Sequence, residues 1–201
     1  MAKRIVIKVG SNVLTNEEGN LDTDIIQHLC EQMHRLKQAG WELILVSSGA
    51  VAAGRRRVRP AGKMDDISLR QLWSSVGQVR LLNTYSKEFE KYGLECAQVL
   101  VTREDFRDRK HFLNMKNCFV ALLQNQVIPI VNENDVVSVT ELMFTDNDEL
   151  AAMVSAMTNP EQLIILSNVD GIYDGDPRLP GSRLIAVVDD SMGDLSEVVS
   201  A

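Results

Sequence analysis

The chain has 201 residues, 45% of them hydrophobic and 24% charged, with a formal net charge of −7. Such a composition supplies one sizeable core, and the acidic balance argues against general nucleic-acid binding. Three cysteines, Cys30, Cys96 and Cys118, stand far apart without a CxxC pair, so reduced thiols are expected rather than a disulfide framework or zinc site. No window approaches the roughly 18 uninterrupted apolar residues of a membrane span. The N-terminal segment lacks the apolar core of a signal peptide, and none is expected.

Strand and helix patterns take turns along the chain. Residues 4–9 form a β-rich run that ends at Gly10. Asp22 and Thr23 can cap a helix carrying Ile25, Ile26, Leu29, Met33 and Leu36 at spacings of three and four, closed by Gly40. Residues 41–46 read as a mostly buried strand, and the small-residue turn 47–53 opens a helix. The arginine-rich stretch 55–63 is expected to be a mobile surface loop. A long helical pattern covers 65–92 and ends at Gly93. Its Leu69, Leu72, Trp73, Val76, Val79 and Leu82 spread over more than one face, which points to a subunit contact. Then follow a strand at 95–101, a helix at 109–126, a short buried strand at 127–131, a helix at 146–158 and a strand at 162–166. This alternation with short links predicts an α/β fold with a mainly parallel sheet covered on both faces. No internal repeat or linker interrupts it.

Polar residues gather just after the apolar strands, in four segments: Lys8-Val9-Gly10-Ser11, Ser47-Ser48-Gly49-Ala50, Val131-Asn132-Glu133-Asn134-Asp135 and Thr145-Asp146-Asn147-Asp148. That is where a parallel sheet presents its ligand edge. Lys8 can aim its ammonium at the Gly-Ser turn, and Gly10 lets backbone N–H groups approach an anion. The run Gly49–Gly54 has P-loop spacing but lacks the Lys-Ser/Thr pair, and no GxGxxG follows a strand. Asn134-Asp135 and Asp146-Asn147-Asp148 could receive an ammonium, coordinate magnesium through water or orient a lysine. For any single one of them a helix cap or turn is the competing role. His28 and His34 are six apart and His111 is isolated, so no metal site is expected. Met33, Met153 and Met157 at helical positions read as core fillers.

Taken in order, Lys8-Val9-Gly10-Ser11-Asn12, Ser47-Ser48-Gly49-Ala50-Val51-Ala52-Ala53-Gly54, Gly77-Gln78, Thr102-Arg103, Asn132-Glu133-Asn134-Asp135, Asp146-Asn147-Asp148-Glu149-Leu150, Asp170-Gly171-Ile172-Tyr173 and Asp176-Pro177-Arg178 resemble the amino acid kinase family. Within it they look most like its glutamate 5-kinase group. The resemblance implies a three-layer α/β/α sandwich and an ATP- and Mg²⁺-dependent transfer of phosphate to the γ-carboxylate of L-glutamate, the first step of proline biosynthesis. It further implies a cytoplasmic homo-oligomer with L-proline as feedback inhibitor, the regulatory loop lying near 55–63.

The same resemblance assigns roles. Lys8 contacts the ATP phosphates with backbone help from Gly10 and Ser11, and Asp148 holds that lysine. Ser48, Gly49, Asn134, Asp135 and Asn147 bind the amino and carboxylate groups of glutamate, with Asp135 facing the ammonium. Ser167, Asn168, Tyr173 and Asp176 lie where the family meets the nucleotide, although an acidic residue is usual in place of Asn168. Residues 1–201 are expected to be a C-terminally incomplete kinase domain without an RNA-binding-like (PUA) module. The glycine-rich segment with a second phosphate-binding lysine is missing from the pattern. Two alternatives stay open: a family member acting on another acceptor such as N-acetylglutamate or aspartate, and a non-catalytic protein that binds glutamate or proline.

Overall fold

The computed structural model describes residues 3–138, 144 and 146–188. It divides into two compact units, 1–166 and 167–201.

The first unit is built on β1 (Arg4–Val9), β2 (Glu42–Ser47), β3 (Cys96–Val101), β4 (Ile128–Glu133) and β5 (Gln162–Leu166). They form one parallel sheet in the order β3-β4-β2-β1-β5. The helices are α1 (Ser11–Leu14), α2 (Thr23–Gln38), α3 (Ala50–Arg55), α4 (Asp66–Glu90), α5 (Arg103–Arg107), α6 (Arg109–Gln124) and α7 (Asn147–Thr158). The central strands read as unbroken apolar runs because both their faces are covered. Ile5, Ile7, Val9, Leu43, Leu45, Ile128 and Ile130 pack with Leu29, Cys30 and Met33 of α2 and Leu81, Tyr85 and Phe89 of α4. The alternate residues Val6, Ile44, Val46 and Val131 pack with Phe119 and Leu123 of α6 and Leu150, Val154 and Met157 of α7. Side chains alternate across a strand, so the two helical layers draw on opposite parities of the same sequence.

This layering locates the ligand edge. The crossovers leaving β1 and β2 use α2 and α4 on one face, and those leaving β3 and β4 use α6 and α7 on the other. A parallel sheet opens a crevice at its carboxyl edge where the crossovers change sides. Here the adjoining ends of β1, β2 and β4 surround that point.

Local signals set the boundaries. Asp22 caps α2 by accepting from the N–H of Asp24 and Ile25, and Asp65 caps α4 by accepting from Ser68; each cap is worth about 1 kcal/mol. Most predicted elements are present, with two informative differences. β4 runs two residues past the expected 131 and takes in Asn132 and Glu133, both buried. The short helices α1 and α5 were not expected, since four or five residues are too few to show a 3.6-residue period.

Between α3 and α4 the backbones nearly touch. A Cβ on Gly54 would lie 1.8 Å from the Trp73 carbonyl oxygen, and one on Gly77 would lie 1.7 Å from that of Ala50. Only hydrogen fits at either position, and the contact pins the start of α3 against α4.

The second unit holds a small antiparallel hairpin of β6 (Ile172–Tyr173) and β7 (Leu184–Ile185). Within the turn, Asp176 accepts from the backbone N–H and the guanidinium of Arg178. These bonds hold its carboxyl down at about 2, with the Arg178 side chain as the main cause. Thr145 and residues 189–201 lie outside the described residues.

Candidate active site

Lys8 sits at the carboxyl end of β1, level with Val46 of β2, and is 7% exposed. An ammonium taken out of water needs a compensating charge. Asp148, in the first turn of α7, supplies it: its Oδ1 lies 2.6 Å from Lys8 Nζ. That oxygen is itself screened from solvent, while the aspartate side chain as a whole is 43% exposed. Asp146 caps α7 by accepting from the N–H of Asp148 and Glu149, which fixes the turn carrying Asp148. Arg103 pairs with Glu149 and ties the same turn to α5.

Gly10 follows Lys8, but its N–H already donates to the Leu166 carbonyl at 3.2 Å. Its φ of −72° is open to any residue. A Cβ there would meet Lys8 Nζ at 3.6 Å, an ordinary contact, so local packing does not demand glycine either.

A polar pocket of about 210 Å³ opens at the same edge, lined among others by Ser11, Ser48, Gly49, Arg70, Asn132 and Glu133 with Asp135 and Asn147. Gly49 turns the chain from β2 into α3 with φ at +99°, a left-handed conformation that a Cβ would strain. Asn147 Nδ2 donates to Ser48 Oγ at 2.7 Å and to Asn132 Oδ1 at 3.1 Å, so one amide bridges the ends of β2 and β4. Beneath it, Ser47 and the fully buried Tyr85 share a hydrogen bond at 2.9 Å.

Two buried acids line the same pocket. Glu133 and Asp135 are 3% and 6% exposed. Burial raises both carboxyls above their ordinary values, against the opposing pull of Arg70. Arg70 of α4 reaches both, with Nε 2.6 Å from Asp135 Oδ1 and Nη2 3.0 Å from Glu133 Oε2. Glu133 Oε1 also accepts from the Phe144 N–H at 3.3 Å.

The structure therefore brings Lys8 and Asp148 together, and gathers Ser11, Ser48, Gly49, Asp135 and Asn147 around one pocket. Asn134 is absent from that pocket's lining; its N–H donates to Val101 and its carbonyl accepts from Val137 and Ser138 in a turn. Ser167, Asn168, Tyr173 and Asp176 belong to the second unit. Ser167 and Asn168 are exposed there, and Tyr173 lies in the hairpin. Three residues of the site were not singled out as such in the sequence: Asn132, Glu133 and Arg70. The first two stand inside the Asn-Glu-Asn-Asp string and hide only by being strand residues. Arg70 carried no signal, being one arginine in a long helix.

Cys30 offers no nucleophile, since burial pushes its thiol up to about 12. Among the described residues no cluster of three or more His, Cys, Asp or Glu could hold a metal. Also among them, no helix is long and apolar enough to cross a membrane.

Comparisons with known proteins agree with this architecture. The chain is 50% identical over 198 residues to a glutamate 5-kinase of Bacteroides thetaiotaomicron, covering 98% of this chain and 55% of that one. It is 48% identical over 197 residues to the glutamate 5-kinase of Chlorobaculum tepidum, covering 98% and 54%. Glutamate 5-kinase 2 of Bacillus subtilis is 44% identical over 176 residues, covering 88% and 47%. The chain thus spans about half the length of the curated relatives it matches. A solved structure described as isopentenyl phosphate kinase superposes with a TM-score of 0.65 at 17% identity, covering 96% of this chain and 84% of that one, which bears on the fold alone. The family model described as the amino acid kinase family matches residues 3–197, and the chain belongs to that family.

Proposed function

We propose that this chain carries the acceptor site and the first catalytic lysine of a glutamate 5-kinase, which transfers the γ-phosphoryl group of ATP to the γ-carboxylate of L-glutamate. The observation that carries the reading is the ion pair of the buried Lys8 with the partly exposed Asp148, at the same sheet edge as a pocket lined by the acids Glu133 and Asp135. The identity to glutamate 5-kinases over nearly the whole chain supports the choice of acceptor.

The chemistry asks little of a base. A glutamate side chain with a pKa of about 4.3 is ionised at neutral pH, so its oxygen is already a nucleophile. That oxygen bonds to the γ-phosphorus, the bond to the bridging oxygen breaks, and ADP leaves with the electron pair. Two anions must be brought together, and charge on the transferring group must be neutralised. Lys8, held by Asp148 in a poorly solvated position, is placed for that, since a fixed charge costs no reorganisation at the moment of transfer. Asp135 and Glu133 give the acceptor pocket its demand for a cation, which a free α-ammonium meets and an N-acetylated amine does not. Magnesium would arrive with the nucleotide, held by phosphate oxygens and water rather than by a protein cage. A cytoplasmic location, a homo-oligomer and feedback inhibition by L-proline belong to the same reading and rest on the likeness to glutamate 5-kinases.

The test is an ATP-dependent assay that traps acyl phosphate with hydroxylamine, run on this chain and on Lys8→Ala. Glutamate, N-acetylglutamate and aspartate serve as acceptors. Hydroxamate from glutamate alone, lost in the variant, is the expected result. Product from another acceptor redirects the reading within the family, and glutamate binding in calorimetry without turnover makes the chain a binding protein.

A further inference from the structure

Arg70 lines the acceptor pocket together with the two acids it serves. The Asp135 and Glu133 side chains are 5% and 4% exposed, whereas that of Arg70 is 42% exposed. The acids are therefore fixed in the protein, and the guanidinium is the accessible member of the trio. A guanidinium carries five N–H groups in a planar fork. Here Nε and Nη2 are spent on Asp135 and Glu133. Among the described residues, Nη1 has no hydrogen-bond partner. The outer edge, made of Nη1 and the second N–H of Nη2, is the one that takes a carboxylate through two parallel bonds. Beside it, Asp135 has spent only Oδ1 on Arg70. Two carboxylates against one guanidinium leave the trio at a net −1, which a ligand's ammonium would balance.

Resting on the amino-acid reading of the acceptor, we propose that the Arg70–Asp135 ion pair is the recognition element for a free amino acid head group. The α-carboxylate docks on the outer edge of Arg70, and the α-ammonium shares Asp135. The zwitterion lies antiparallel to the protein's own charge pair, so each charge meets its opposite. An acceptor lacking either charge leaves one half of the pair without its counterpart. Arg70 is then a specificity-determining residue, and it explains why the pocket holds a cation beside acids that are themselves suited to a cation.

Calorimetric titration with glutamate, its α-carboxamide and the deaminated diacid glutarate tests this on the full chain, as wild type, Arg70→Met and Arg70→Lys. Wild-type protein should prefer glutamate over the α-carboxamide by at least about tenfold, the worth of one charge-assisted hydrogen bond. In Arg70→Met that preference should fall to about twofold or less, while the preference over glutarate persists through Asp135. Arg70→Lys keeps the charge without the fork and should retain an intermediate preference. Each preference is a ratio within one protein, so a smaller folded fraction cancels. A uniform weakening that leaves the α-carboxamide ratio intact in Arg70→Met overturns the proposal, as does an unchanged ratio in Arg70→Lys. If wild-type protein binds no glutamate, the functional reading fails and this inference with it; glutamate binding with unaltered ratios removes the inference alone.

Discussion

Lys8 Nζ lies 2.6 Å from Asp148 Oδ1, and the lysine is the buried partner, its side chain 9% exposed against 43% for the aspartate. The asymmetry gives the pair its direction: the aspartate serves the lysine. Removing Lys8 deletes the charge that would face the phosphoryl group, so Lys8→Ala should lower kcat on the order of 10²- to 10³-fold. Acceptor affinity should barely change. Asp148→Asn keeps the lysine but removes its counter-charge, so a smaller loss is expected. Because the two act as a unit, the double variant should be no slower than Lys8→Ala alone. Hydroxamate kinetics on the three variants check this, and additive losses would show that the residues act separately.

A second expectation concerns packing behind the site. The Cβ of Gly77→Ala would meet the Ala50 carbonyl oxygen at 1.7 Å, so α3 and α4 must move apart. Overpacking of this kind costs about 1–3 kcal/mol. Because α3 begins beside Ser48 and Gly49, the acceptor KM should rise along with the lost stability. Urea unfolding and kinetics measure the two effects. A variant as stable as wild type would mean that the helices have room to spare.

The buried acids predict an unusual pH dependence. Burial is the main cause that raises both Glu133 and Asp135, and it outweighs Arg70. A carboxyl raised on folding binds its proton more tightly in the native state. Its contribution is present below the ordinary carboxylate range and is lost as pH rises through the raised value. Asp135→Asn removes one such group, so its stability relative to wild type should improve as pH rises from about 4 to 7. Denaturant melts across that range decide the matter. A gap that does not move with pH would show that Asp135 titrates alike in the folded and unfolded chain.

The amide bridge gives a subtler effect. Asn132 Oδ1 accepts from Asn147 Nδ2 at 3.1 Å and orients it toward Ser48. Asn132→Ala removes that acceptor and should raise the acceptor KM roughly fivefold, since one hydrogen bond is worth about 1 kcal/mol. The value of kcat should hold, because Lys8 does not touch the bridge. An equal fall in kcat with KM unchanged would instead tie Asn132 to the transfer step.

How much of this was legible beforehand differs by residue. Lys8, Gly49 and Asp148 stand where a β-rich run gives way to a turn, or where a capping carboxylate opens a helix. Those are local features, and the fold follows from strand and helix patterns that alternate with short links. Asn132 and Glu133 were harder. A polar pair after an apolar run reads as a loop, yet β3 pairs with both residues and keeps them in the strand. Asp135 was expected to await an ammonium, and in the structure it already faces Arg70.

The sequence by itself determined the parallel α/β sheet, its two helical faces and the strand ends where chemistry would gather, because periodicity, caps and glycine turns act over a few residues. Only the tertiary structure decided that Arg70 joins Glu133 and Asp135, that Asn147 bridges β2 and β4, and that Gly54 and Gly77 let two helices touch. Those contacts link residues far apart in the chain, and no local pattern encodes them. They exist because the packed sheet brings the ends of β2 and β4 beside α4 and α7, where opposite charges and unpaired amides must find partners once water is excluded.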